Sequence, residues 1–239
     1  MMYTKHTPYI HFSSIEAMLY RIFLFLLLPV YGYAEPYSLV KKSDTSLHVA
    51  AKNGDIDRVK SLLKNPTVDV NAKNDANLSP LHLAAEKDHV AVVKALLKRT
   101  DILVNTKHKH NGTPLHIAAK EGHVEVVKAL LCARDIRVNL GDYVGRNPLY
   151  LAAEQGHVAA VKVLLEQSNI NVNAKSIYGV TPLHIAACKG HRAVVKTLLA
   201  VKDILINTQN EGGYTPLKLA MIHNHSKCVT LLKIALKKL

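Results

Sequence analysis

Histidine is the side chain best suited to chemistry in this protein, and the chain has fourteen of them among 239 residues. A neutral imidazole can ligate a metal or carry a proton near neutral pH. The spacing argues against both uses. His48, His82, His116 and His184 share one slot of a 34-residue period, and His89, His123, His157, His191 and His225 share another. Residues that recur in this way are building positions. Two short runs stand apart: His108-Lys109-His110, and His223-Asn224-His225 near Cys228. Zinc needs three or four convergent ligands, and neither run clearly supplies them, so no metal site is expected.

Other reactive groups point the same way. Cys132, Cys188 and Cys228 fall at three different places within the period, their count is odd, and no C-x-x-C occurs, so the fold is not built on disulfides. Glu86, Glu121 and Glu154 recur beside Lys87, Lys120 and Gln155, as on a solvated surface. No G-x-S-x-G, P-loop or H-E-x-x-H is present. We therefore expect no catalytic residues, no cofactor and no small-molecule substrate.

The elements that carry these residues are short. Leu47, Leu81, Leu115, Leu149, Leu183 and Leu217 follow one another at intervals of 34 residues. Around Leu115, "GTPLHIAAKEGHVEVVKALL" holds two helical patterns, Thr113 to Lys120 and His123 to Leu131. Neither is long enough to persist alone in water, so each unit must pack on its neighbours. Thr113, Thr181 and Thr215 can cap the first helix, with Pro at its first position. His116 and His184, three residues on, can reach back as in a capping box. Gly54, Gly122, Gly156 and Gly190 predict left-handed helix ends. Asp88 and Asn224 take that place in units 2 and 6. Val126, Val127, Leu130 and Leu131 form the buried stripe of the second helix.

This segment closely resembles the ankyrin repeat, as do "GVTPLHIAACKGHRAVVKTLL" and "GRNPLYLAAEQGHVAAVKVLL". The resemblance covers residues 43–239 in six units, about 43–76, 77–110, 111–144, 145–178, 179–212 and 213–239. It implies an all-α solenoid of helix-turn-helix units joined by β-hairpin-like loops. The period departs from the 33 residues usual for the family. The extra residue lies after the second helix, in "KRTDILVN" and its equivalents, and predicts a longer turn with an unchanged stack. Ser46 and Asp55 in the first unit, and Lys218 and "LLKIALKKL" in the last, suit end caps.

Residues 1–40 lack the period. Met18 to Ala34, "MLYRIFLFLLLPVYGYA", reads as a secretory signal: Arg21, an apolar run from Ile22 to Val30, then the small residues Gly32 and Ala34. Cleavage after Ala34 makes 1–34 the signal peptide, with Met18 the better start, and 35–42 a short linker. Export to the periplasm or outside the cell is expected; the alternative is an uncleaved N-terminal membrane anchor.

The resemblance implies function through two surfaces, the loop tips and the adjoining ends of the first helices, which together line a concave groove. Among the tips, Tyr143, Val144 and Arg146, then Ile177, Tyr178 and Val180, then Tyr214 are rich in the aromatic and Arg side chains that dominate binding hot spots. They mark a groove centred on units 4–6. A second regularity is a ladder of Lys60, Lys94, Lys128, Lys162 and Lys196, each 13 residues after its anchor leucine. Loss of Lys5, Arg21 and Glu16 with the leader would lower the formal charge only from +13 to +12. The expected function is non-enzymatic protein binding by a monomeric, exported array, resembling secreted bacterial ankyrin proteins, with a host protein as one candidate partner. Alternatives are a structural or protective protein of the cell envelope, and a basic scaffold on an anionic membrane or nucleic acid.

Overall fold

A hydroxyl and an imidazole open the first helix of four units. In the computed structural model, which describes residues 43–238, Thr45, Ser79, Thr113 and Thr181 each form a reciprocal capping box with the histidine three residues later. The backbone N–H of each capping residue donates to the histidine Nδ1, at 3.1–3.2 Å. An amide can only donate, so that nitrogen is the acceptor and Nε2 carries the proton. Nε2–H then donates across the unit boundary, 30 residues on, to the carbonyls of Leu78, Gly112, Arg146 and Tyr214. Units 4 and 6, with Tyr150 and Lys218 in the histidine slot, keep only the simple caps of Asn147 and Thr215.

Twelve helices follow in pairs among the described residues: α1 Ser46–Asn53 and α2 Ile56–Leu63; α3 Pro80–Glu86 and α4 Val90–Leu96; α5 Pro114–Glu121 and α6 Val124–Leu131; α7 Pro148–Gln155 and α8 Val158–Leu165; α9 Pro182–Cys188 and α10 Arg192–Leu199; α11 Pro216–Ile222 and α12 Ser226–Leu236. Within each pair the turn is left-handed where glycine was expected, with φ of 73° to 79° at Gly54, Gly122, Gly156 and Gly190. Asp88 and Asn224 adopt the same conformation at φ 58°. Space also selects glycine here. A Cβ on Gly122 would lie 2.6 Å from the ring of His157, whose Nε2 bonds the Lys120 carbonyl at 2.9 Å. His89, His123, His191 and His225 make the same bond to the preceding unit. The second histidine slot therefore ties each unit backwards, and the first ties it forwards.

The odd-numbered helices pack on one another in sequence as an inner row, and the even-numbered ones as an outer row. The six anchor leucines point between the rows; Leu81, Leu115, Leu149 and Leu183 are fully buried. Paired alanines such as Ala118-Ala119 are fully buried beside them and let the inner helices approach closely. Val126, Val127 and Leu130 are fully buried and Leu131 partly so. The extra residue of the period is taken up after the outer helix by a recurrent turn. In it the N–H of Val68, Ile102, Ile136, Ile170 and Ile204 bonds the carbonyl three residues back. Each of these aliphatic residues packs against the core, so the stack continues undisturbed.

One ladder is absent from the sequence reading. Asn71, Asn105, Asn139 and Asn173 each donate from Nδ2 to a carbonyl 30 residues on and accept at Oδ1 from an N–H 32 residues on. For Asn105 these are Asp135 O at 2.7 Å and Arg137 N at 2.9 Å. The recurring "VN" was its only signal in the sequence. Asn105→Ala removes both bonds between units 2 and 3 and is expected to cost about 1–3 kcal/mol. Urea melts of the variant read this directly, and an unchanged midpoint would contradict it.

The signal peptide, its alternative start at Met18 and the linker lie outside the described residues. No helix among the described residues is long and apolar enough to cross a membrane.

Candidate protein-binding surface on the repeat tips

Each tip is five residues whose first side chain organises the rest. Asp142 Oδ1 accepts from the backbone N–H groups of Val144 and Arg146, both at 3.0 Å. Asn74, Ser176 and Asn210 do the same in their own tips. The main chain closes the loop, as in Asp142 N–H to Arg146 O at 3.0 Å. The fourth residue must be left-handed, and Asn77, Asn111, Gly145, Gly179 and Gly213 hold φ of 57° to 78° there. Adjacent tips then bond to each other: Tyr143 N–H to His110 O, Ile177 N–H to Val144 O and Glu211 N–H to Tyr178 O, at 2.9–3.2 Å. This is hairpin-like pairing without a strand among the described residues.

The tip ladder decides which side chains face outward. Tyr143, Ile177 and Tyr178 are 56%, 52% and 44% exposed and form one apolar cluster over two bonded tips. His110 extends it, its ring centroid 5.8 Å from that of Tyr143. Val144 is not part of this surface. It is 4% exposed, held beneath the next tip by the bond to Ile177, and acts as packing. Val180 is partly buried against the core. Tyr214 is also partly buried; its ring folds back over Gly212, where a Cβ would lie 3.0 Å from Cδ2. Arg146 borders the cluster and is fixed by two carboxylates. Its Nε and one terminal nitrogen lie 2.8 Å from Asp142 Oδ2, and the other lies 3.7 Å from Glu154. Burial opposes its charge, yet the hydrogen bond and charge of Asp142 outweigh this and raise its pKa. An arginine held in this way offers its outer edge to a partner at little entropic cost.

The other reactive groups are absorbed by the stack. Glu86 pairs with Lys87 at 3.1 Å and Glu121 with Lys120 at 3.4 Å. Cys132, Cys188 and Cys228 are free thiols, respectively exposed, partly buried and buried. Among the described residues no three His, Cys, Asp or Glu side chains converge as metal ligands. His108, half-buried, stacks edge-on with both His82 and His110 and serves its own tip, Nδ1 accepting from the His110 N–H at 3.0 Å. The five ladder lysines are all exposed on the outer row.

The family model for ankyrin repeats in three copies matches residues 16–108, 47–142, 99–176, 137–210 and 174–237. Among solved structures, the ankyrin repeat protein EF0377 is 25% identical with a TM-score of 0.73, over 79% of this chain and 96% of that one. An ankyrin repeat domain from Acinetobacter baumannii is 26% identical with a TM-score of 0.71, over 79% and 96%. The ankyrin repeat domain of human ASB11 is 29% identical with a TM-score of 0.68, over 80% and 84%. No curated protein matches the chain. Ankyrin repeats are protein–protein interaction modules, and proteins of this family are generally non-enzymatic. With six units in register and a backward histidine bond at every boundary between them, the chain belongs to the ankyrin repeat family.

Proposed function

We propose that this protein is a non-enzymatic, monomeric binding module that holds a partner protein on the tips of its middle units. The exposed cluster of Tyr143, Ile177 and Tyr178 carries the reading. Large apolar side chains cost least when left bare on a surface that a partner covers, and here they stand on loops already ordered by hydrogen bonds, so little entropy is lost on binding. Arg146 supplies a charged rim that selects a partner with an acidic group at the matching place. Capture of a partner by the array, followed by titration of Tyr143→Ala and Tyr178→Ala, tests it. Each variant is expected to weaken binding by about 2 kcal/mol, roughly thirtyfold, with the array still folded by thermal melt. Full affinity in both variants would place the site elsewhere.

The leader supports an exported protein, met by its partner outside the cytoplasm, with a host protein among the candidates. A mature product beginning at Glu35 is the expected result of mass spectrometry on the secreted or envelope fraction. Retention of Met18 to Ala34 there would favour the membrane-anchored form.

A further inference from the structure

The two rows of helices differ sharply in charge. The inner row carries Lys52, Lys120 and Lys218 against Glu86, Glu121 and Glu154, and is balanced. The outer row carries nine lysines and arginines, all exposed, against Asp57 and Glu125 alone. Five of the nine are the ladder Lys60, Lys94, Lys128, Lys162 and Lys196, one on each of α2, α4, α6, α8 and α10. Among the described residues only Lys128 of these has an acidic partner, Glu125 at 2.7 Å. Packed helices lie about 8–10 Å apart, so the four spacings of the ladder run roughly 32–40 Å. Its rungs are separated by about one screening length at physiological salt, and the row acts as a single field.

We propose that this outer row docks on an anionic phospholipid bilayer. The charges are ammonium groups spread along a row, which suits many separate headgroups better than one phosphate gripped by an arginine fork. No Phe, Tyr or Trp occurs on the outer helices, so bases of a single strand have nothing to stack on. Between the last two rungs lies a shallow depression of about 400 Å³, lined by Val158, Lys162, Ala193, Lys196, Thr197 and Ala200. Its lining sets the aliphatic Val158, Ala193 and Ala200 beside two lysines, a mixture of apolar and cationic groups that suits a lipid headgroup region better than duplex DNA. The site is independent of the tyrosine tips.

Co-sedimentation of the full chain with vesicles tests the proposal. Binding is expected to equimolar phosphatidylcholine and phosphatidylserine, to be absent with phosphatidylcholine alone, and to collapse at 1 M salt, where the screening length falls to about 3 Å. Each lysine near the membrane contributes about a fivefold factor. Lys162→Gln with Lys196→Gln should therefore weaken partitioning about 25-fold, and replacement of all five rungs should abolish it. Thermal melts verify that these exposed substitutions leave the array folded. Tyr143→Ala with Tyr178→Ala should bind vesicles normally. The proposal is overturned if the five-rung variant binds like the parent, if phosphatidylserine makes no difference, if the tyrosine variant loses vesicle binding, or if duplex DNA is bound and vesicles are not.

Discussion

Acidification from pH 7 to pH 5 is expected to remove about 4 kcal/mol of folding stability, about 2 kcal/mol from each of His82 and His116. Burial lowers the pKa of His82 to about 3 and, outweighing the nearby Asp142 carboxylate, that of His116 to about 4. Lys73 and His108 push His82 further in the same direction. The geometry supplies a second reason. A proton added to Nδ1 would face the N–H of the capping residue at 3.1 Å, donor against donor. The unfolded chain has no such obstacle and binds its proton near the ordinary imidazole value of about 6.5. Above that pH both states are neutral and the contribution is whole. Below it only the unfolded state gains protons, so stability falls with each unit of pH until the folded pKa is reached. His184, also lowered by burial, adds to the loss. The total is a large share of the 5–15 kcal/mol typical of a folded domain. Urea titrations at pH 7, 6 and 5 measure it, and His116→Gln should flatten the dependence. A stability unchanged between pH 7 and pH 5 would mean that these rings are not held as neutral bridges.

Leu149→Ala is expected to cost about 2–5 kcal/mol. Leu149 is fully buried in the fourth of six units, between helix rows that continue in both directions. A cavity at that point weakens one unit and both of its boundaries. In a stack whose cohesion is a sum of neighbour terms, a weak middle separates the two flanks. Urea unfolding should show a lower midpoint and a broadened or two-step transition. Leu47→Ala, in the first described unit, should lower the midpoint while keeping a single step, because the five units after it stay contiguous. Equal, single-step behaviour of the two variants would show that the array unfolds as one indivisible body.

The local content of each unit was legible because it depends on residues three or four apart. A hydroxyl residue followed three positions later by a histidine specifies a cap wherever the pair occurs here, and the structure forms the box at all four units that hold it. Asp88 could be assigned a left-handed turn because four sister units hold glycine there, and its φ of 58° agrees. The repeat itself followed from the period of the leucines. The tips were harder. Val144 and Tyr178 hold the same place in successive tips, yet one is buried and the other exposed. A short side chain stays beneath the neighbouring tip that bonds its carbonyl, whereas a phenol reaches past it. Tyr214 was grouped with the outward tyrosines and instead lies partly buried over Gly212 of its own tip. The asparagine ladder and the partners of both histidine rows were hidden for the same reason. Their bonds join residues 30 to 37 apart, a separation with no signature in local pattern. The sequence by itself determined the unit, its caps and its period, which are fixed by short-range hydrogen bonding and hydrophobic spacing. The tertiary structure alone decided which polar groups pair across unit boundaries and which tip side chains remain exposed, because both depend on the neighbouring unit's backbone being brought alongside.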